Sequence, residues 1–373
     1  MTASASAPRP ILRRVAFSEL AGWRNQDHAL ALEAFQRSAR EIVENGSGFR
    51  REAMLGGRRE AWLPVCEAAK TAMDARQFFE SHFAPCRVED LQRPEGLFTG
   101  YFEPELSGSR QEAPGFNVPV YRKPDDLVAF STAEESQLGL RYGRRINGVA
   151  APYALRQDIE GGALAGRGLE ICLVDSWVDA FFMHIQGNGR IRLTDGSTIR
   201  LSYAAKTGHP YTGIGGVLAE RGILSRETMS MQTVKAWMAD HPAEARQLMW
   251  LNKSYVFFQE TAIEDQLLGA VGAAKVNLTP LHSMAIDRSI WMFGTPFWIE
   301  TTYPKEARPQ GEAIARLMIG QDTGSAIRGA VRGDFYWGWG EDAALVAGHM
   351  KSPGSMTVLL PHAVARNLEL GAA

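Results

Sequence analysis

Between Leu32 and Val43, apolar residues recur three and four apart: Leu32, Phe35, Ala39, Ile42 and Val43. That spacing predicts an amphipathic helix with one buried stripe. Asp27 is placed to cap its start and Gly46 to end it. Pro64 suits the first turn of a second helix, and Phe78, Phe79 and Phe83 form a further apolar stripe. Roughly the first 100 residues therefore read as packing helices. At Gly96 the period changes from helical to two. In GLFTGYFEPEL (96–106) Phe98 and Phe102 alternate inward, while Thr99, Tyr101, Glu103 and Glu105 take the other face. Short strands follow, punctuated by Pro119 and Pro124. Residues 189–203 predict a hairpin: Ile191 and Leu193 lead in, Asp195 and Gly196 turn, and Ile199 and Leu201 return. Two short helices come next, one ended by Gly222 and one capped by Ser225 that runs through Val234 and Trp237. From about residue 254 the pattern is strand after strand: SYVFFQE, HSMAIDR, PFWIETTY, ARLMIGQD, DFYWGWG and TVLLP. Short turns join them, and a helix is expected only at 311–316. Such a run suits a compact β-barrel better than a doubly wound parallel sheet.

A chain of 373 residues is too long for one ordinary core, so two domains are expected. With 40 basic and 42 acidic side chains and no basic block, nucleic acid is not an expected partner. No apolar run is long enough to span a bilayer. The first residues, MTASASAPRPILRRVAF, show neither a hydrophobic signal core nor a cysteine for lipid attachment. Cys66, Cys86 and Cys172 are an odd number without zinc-site spacing, and they read as small buried hydrophobes. A single Cys66–Cys86 bridge is compatible with an oxidising compartment. His184, His209 and His282 lack metal-ligand spacing, so neither a metal nor an organic cofactor is expected.

Potential chemistry concentrates in QDTGSAIRGAVRGDFYWGWGED (321–342), which holds Asp322, Asp334 and Asp342 among glycines, followed by Tyr336, Trp337 and Trp339. Glycines let a backbone approach a ligand, and a carboxyl desolvated among aromatics gains the raised pKa of a general acid. The same pattern also reads as a Gly-rich turn with solvated aspartates. Asp322-Thr323-Gly324-Ser325 matches the D-T-G-S signature of aspartic proteases. Those enzymes need two aspartates sharing a proton, and the chain has no second D-T/S-G copy. Spacing alone leaves Asp322 and Asp334 equal candidates, with D-T-G-S favouring Asp322. A second cluster, HIQGNGR (184–190), offers Gln186, Gly187 and Asn188 as hydrogen-bonding groups for sugar hydroxyls or as an ordinary tight turn. Glu103 or Glu105 could supply a second carboxylate, or an acidic solvated edge.

Seven segments, in order along the chain, resemble the membrane-bound lytic transglycosylase A family, whose C-terminal part is called the 3D domain after its three aspartates. They are TGYFEP (99–104), YRKP (121–124), HIQGNGRIRL (184–193), KTGHPYTGIGG (206–216), NKSYVFF (252–258), LTPLHSMAIDR (278–288) and QDTGSAIRGAVRGDFYWGWG (321–340). Asn188 stands where the family usually has serine, and Ser325 where it has glycine. The resemblance implies a mainly β fold with N-terminal helices: a double-psi β-barrel domain with a smaller β domain inserted, and a groove between them. The barrel would take residues 1–112 and 251–373, and the insert 113–250. It implies a peptidoglycan lytic transglycosylase that cuts the bond between N-acetylmuramic acid and N-acetylglucosamine and leaves a 1,6-anhydro ring. The acid, then base, maps to Asp334, with Asp322 in support and Asp342 as the third aspartate. Thr99, Tyr101, Gln186, Gly187, Asn188, Lys206, Tyr255 and Trp337 map to substrate contacts. The expected partners are glycan strands and wall-remodelling proteins, and the expected state is a monomer. The expected location is the periplasm or the inner face of the outer membrane, which implies an export signal trimmed from this sequence. Two other readings are a glycan-binding protein without turnover and an aspartic-type protease.

Overall fold

The computed structural model of the protein describes residues 10–46, 53–90, 95–308 and 310–370. The chain divides into two compact units, one of Met1–Phe102 with Leu267–Ala373, the other of Glu103–Gln266. Among the described residues no helix is long and apolar enough to cross a membrane.

The first unit opens with β1 (Ile11–Arg14), α1 (Ala29–Glu44), α2 (Leu63–Ala69), α3 (Ala75–His82), β2 (Phe83–Glu89) and β3 (Gly96–Glu103). Helix α1 forms where the apolar spacing predicts. Asp27 Oδ1 accepts the Ala29 amide at 2.9 Å, and Gly46 follows the helix end with φ 54°. The stripe of α1 is buried at Leu32, Phe35, Ala39 and Ile42. Phe35 meets the rings of Phe78, Phe79 and Phe83 at 5.5–6.0 Å. Each such side chain stabilises the fold by about 1.5–3 kcal/mol on burial. Cys66 and Cys86 lie in this core as free thiols, so the possible bridge between them is not formed.

The second unit runs through β4 (Glu105–Ser109), β5 (Val118–Tyr121), β6 (Val128–Ala129), α4 (Thr132–Leu138), β7 (Tyr142–Ile146), β8 (Val149–Ala151), α5 (Arg156–Asp158), β9 (Glu170–Val174), α6 (Trp177–Gln186), β10 (Asn188–Leu193), β11 (Thr198–Lys206), α7 (Ile214–Glu220), α8 (Met231–Asp240), α9 (Pro242–Leu251) and β12 (Val256–Thr261). Its main sheet has the order β12-β11-β10-β4-β9-β5. The hairpin pairs β10 with β11, Ile191 opposite Ile199, and Gly196 takes φ 86° in the turn. This unit takes in more chain at both ends than 113–250, because β4 pairs with β10 and β12 with β11. Ser230, not Ser225, caps α8 by accepting the Thr233 amide at 3.1 Å. Ser225 caps only a turn, accepting the Glu227 amide.

The chain then returns to the first unit with β13 (Ser283–Ile286), β14 (Pro296–Thr302), β15 (Ala313–Asp322), β16 (Arg332–Trp339), α10 (Gly340–His349), β17 (Lys351–Pro361) and α11 (His362–Leu370). The strand order β1-β2-β17-β14-β15-β13-β16-β3 includes a further pairing of β3 with β17, so part of the ladder closes on itself. Two expectations fail here. Residues 313–316 are strand, held by the pairing of β15 along β14, and helices lie instead at α10 and α11. Helix α10 buries Ala343, Val346 and Ala347 at i, i+3 and i+4 and carries Glu341 and Asp342 in its first turn, where acids suit the helix dipole. The second unit holds α4–α9, of which α7 and α8 are the two helices expected there, so a mainly β fold with helices at the N-terminus understates the helix.

Candidate active site

Strand β13 lies between β15 and β16, and one residue of it, Ala285, stands opposite Asp322 on one side and Asp334 on the other. Directly paired residues point to the same face of a sheet. Both carboxylates therefore flank a methyl group, with Cα atoms about 9.5 Å apart at two strand spacings. Asp322 reaches this face through an irregularity in β15. Met284 pairs with Gly320 but Ala285 with Asp322, so Gln321 is the extra residue of a bulge. The Gln321 side chain turns to α1, donating to Ala34 O and Ser38 Oγ, both at 2.8 Å, while its oxygen accepts from Ser283 Oγ at 2.5 Å. Thr279 N donates in turn to Ser283 Oγ at 2.7 Å. Through this buried chain α1 pins the strand end that carries Asp322.

Strand β3 supplies the partners of both acids from alternate positions. Thr99 Oγ1 donates to Asp334 Oδ1 at 2.5 Å, and Tyr101 donates to Asp322 Oδ2 at 2.9 Å. Asp322 Oδ1 also accepts the amides of Ala273 at 3.0 Å and Thr323 at 2.9 Å. Thr99 itself accepts from Arg332 Nη2 at 2.8 Å. Apolar Leu278, Ala285 and Ile327 surround the site together with the Tyr101 and Tyr336 rings, which lie 5.3 Å apart. The two carboxyls are half-buried. Burial pushes Asp334 above the usual carboxylate range, opposed by the Arg332 charge and the Thr99 hydroxyl. Burial also raises Asp322, its three donors oppose that, and the charge of Asp334 adds to the rise. Tyr101 is pushed well up by burial and by Asp322, so it stays a phenol and a donor.

Trp337 does not join this face. It alternates with Asp334 and Tyr336 along β16, stacks near Phe335, and lies against Gly100 on the other side of β3. Asp342 is exposed on α10. The aspartate that is instead buried is Asp287, directly after β13 and two residues beyond Ala285. It accepts the amides of Gly329 and Ser289, both at 3.0 Å, and so ties the loop before β16 to β13. Sequence reading passed over Asp287, Arg332 and Gln321. The signal for Asp287 was an acid directly after the apolar run SMAI, where a solvated loop residue and a buried latch look alike.

The remaining candidates belong to the second unit. Gln186 ends α6, Gly187 takes φ 78°, and Asn188 begins β10 opposite Ser202. Gln186 and Gly187 are half-buried. Lys206, also half-buried, ends β11 opposite Val256. Tyr255 is fully buried, its ring 4.4 Å from His184 and 5.3 Å from Phe257, and it is a core residue of this unit. Glu103 is buried between Arg190 at 2.7 Å and Arg200 at 3.3 Å, which makes it half of a structural ion cluster and not a second acid. Glu105 is exposed on β4.

Two family models match the chain: the MltA specific insert domain over residues 97–259 and the 3D domain over residues 282–360. The membrane-bound lytic murein transglycosylase A of Vibrio cholerae is 35% identical over 261 residues, 69% of this chain and 63% of that protein, so the chain spans less than two thirds of that relative. The protein of the same description from Escherichia coli K12 is 33% identical over 310 residues, 82% of this chain and 77% of that one. The crystal structure of a membrane-bound lytic murein transglycosylase from Agrobacterium tumefaciens matches with a TM-score of 0.87 at 35% identity, covering 95% of this chain and 99% of that one.

Proposed function

The chain belongs to the membrane-bound lytic murein transglycosylase A family, and on that premise we propose that it cleaves peptidoglycan glycan strands with Asp334 as acid and then base. Protonated Asp334 gives its proton to the glycosidic oxygen as the bond from that oxygen to the muramic C1 breaks, the electron pair leaving with the oxygen. The carboxylate then takes the proton of the muramic C6 hydroxyl, whose oxygen bonds to C1 and closes a 1,6-anhydro ring. One carboxyl suffices because the nucleophile is part of the substrate, which also gives the attack its entropic advantage over free water. A hydrolase would need a second carboxylate to activate water.

The observation that carries the assignment is the unequal loading of the two acids. Asp322 accepts three hydrogen bonds, two from backbone amides and one from Tyr101. These occupy both its oxygens and leave it poorly placed to handle a proton. Asp334 has one hydroxyl donor on Oδ1 and a raised pKa, as an acid working near neutral pH needs. Asp322 then orients Tyr101 and shapes the field at Asp334. The same loading argues against the protease reading, which requires two acids sharing one proton.

The ring of pairings from β17 through β14, β15, β13, β16 and β3 supports reading the first unit as a double-psi β-barrel, with the second unit as the insert. Asp287, buried and latching, is a better third aspartate than Asp342. Gln186, Gly187, Asn188 and Lys206 are offered as glycan contacts, and the relatives' membrane-bound descriptions favour action in the periplasm or at the outer membrane. The test is Asp334→Asn acting on purified sacculi. Release of 1,6-anhydro muropeptides, read by mass spectrometry, is expected to vanish while the fold is kept. Undiminished release would overturn the assignment. Retained sacculus binding by the wild type without any release would favour the glycan-binding reading instead.

A further inference from the structure

We infer that Arg332 is a positioning residue that acts through Thr99 to keep Oδ1 of Asp334 a permanent acceptor, so that the proton used in glycan cleavage travels on Oδ2. The inference rests on the assignment of Asp334 as acid and base.

Four contacts carry it. The Arg332 guanidinium is buried and spans the strands of Asp334 and Thr99, donating to Gly333 O at 2.5 Å on β16 and to Leu97 O at 3.4 Å on β3. Its Nη2 donates to Thr99 Oγ1 at 2.8 Å. Thr99 Oγ1 donates to Asp334 Oδ1 at 2.5 Å. A hydroxyl has one proton and two lone pairs. Arginine has donors only and cannot give up its proton in a protein, so one lone pair of Thr99 is always filled. Of the proton and the lone pair that remain, it is the proton that points to Asp334 Oδ1. A proton on Oδ1 would meet that hydroxyl proton head-on, whereas a proton on Oδ2 leaves the Thr99 bond intact. The geometry is therefore the same before and after proton transfer, which suits a group that must be acid in one step and base in the next.

Among the described residues the charged and titratable groups around Asp334 are Arg332 and Tyr336 on its own strand, Tyr101 on β3 and Asp322 on β15. Of these only Arg332 carries a positive charge, and it opposes the rise that burial gives the acid. Removing the charge raises Asp334 further, so the loss of activity on the alkaline side should move to higher pH. Removing Thr99 does the same in smaller measure. Losing the fork while keeping the charge should misplace the acid without moving that limb.

The experiment measures initial 1,6-anhydro muropeptide release from purified sacculi across pH for Arg332→Gln, Arg332→Lys, Thr99→Val and Arg332→Gln with Thr99→Val, beside Asp334→Asn. Arg332→Gln is expected to lose about tenfold to a hundredfold in rate, as misplacement of a reacting group by about 0.5–1 Å does, with its alkaline limb shifted upward. Arg332→Lys should lose rate with the limb unmoved. On the pH plateau, below the alkaline limb of every variant, the double variant should be no slower than Thr99→Val alone, because Arg332 places the acid through that hydroxyl, while its lost charge shows only in the limb. Wild-type rates in Arg332→Lys and Thr99→Val, or plateau rate losses that multiply in the double variant, would overturn the inference. Should Arg332→Gln fail to fold, the first of those comparisons still decides. If Asp334→Asn retains release, the functional assignment itself has failed. If Asp334→Asn is inactive while the other variants behave as wild type, only the role of Arg332 falls.

Discussion

Gly100 lies between the two donors of the site, Thr99 and Tyr101, and faces the opposite side of β3. A methyl group there would sit 2.6 Å from Trp337 Nε1, 2.7 Å from Trp337 Cδ1 and 2.7 Å from Ala347 Cα. Carbon contacts settle at about 3.5–4.0 Å, so Gly100→Ala must open a gap of roughly 1 Å. Neither neighbour yields easily. Ala347 presents the backbone of α10, and Trp337 is backed by Phe335 at 6.2 Å and Tyr303 at 5.5 Å. Strand β3 is the element that gives way, and with it both hydroxyls. Overpacking of this kind costs about 1–3 kcal/mol. The Tyr101 bond to Asp322 starts at 2.9 Å, so a displacement of about half an ångström takes it to the edge of useful geometry. A misplacement of about 1 Å costs up to roughly a hundredfold in rate, and half of that about tenfold. Denaturant unfolding and anhydro-muropeptide release together are the assay. Gly216→Ala is the control, because Gly216 lies in α7 with open space where its Cβ would be, and it should be stabilising by about 0.5–1 kcal/mol. A Gly100→Ala protein with wild-type midpoint and wild-type release would refute the claim that β3 aligns both acids.

Three further outcomes are expected. The folded protein holds the Asp334 proton more tightly than the unfolded chain, because burial raises that carboxyl. Its ionisation therefore costs stability, a cost absent below about pH 4 and complete once pH passes the raised folded value. Asp334→Asn should thus be more resistant to denaturant than wild type at neutral pH, with the gap closing on acidification, and an equal gap at both would contradict the sign. Gln321→Ala leaves the buried Ser283 and Ser38 hydroxyls short of a partner, at about 1–3 kcal/mol for each group left unpaired, readable as a lowered denaturation midpoint. Burial pushes the Cys66 and Cys172 thiols up to about 12, so neither should react with a thiol reagent until the protein unfolds, and rapid labelling of the native protein would count against their burial.

Where one local signal sufficed, the sequence was readable. Helix α1 announces itself by its stripe and its Asp27 and Gly46 boundaries, and the hairpin of β10 and β11 by alternation around Asp195-Gly196. All six strand segments expected after residue 254 are strands. What failed depended on partners far along the chain. The short run 313–316 suits either state by its own pattern, and pairing of Ile314 with Thr301 decides for strand. The ends of the second unit follow from pairings of β4 and β12 that texture cannot show. In the site, Asp322 and Asp334 were visible as candidates, but not what separates them. That difference comes from Ala273, which is 49 residues from Asp322, and from Thr99, which is 235 residues from Asp334. Trp337 looked like a sugar platform because aromatics near an acid suit one, yet strand alternation sends it to the face away from Asp334.

The bulge at Gln321 makes the site a matter of parity. If the same residues paired with β13 without a bulge, Gln321 would stand opposite Ala285, and Asp322 opposite Ile286, whose side chain is in the core. The carboxylate would then be sealed among apolar groups, and an amide would take its place beside Asp334. Deleting Gln321 would let the ladder run on unbroken with Asp322 still opposite Ala285, and what it would take away is the side chain that ties this strand to α1. The bulge thus lets one short stretch serve two faces: Gln321 turns inward to hold α1, and the next residue still comes out beside Asp334.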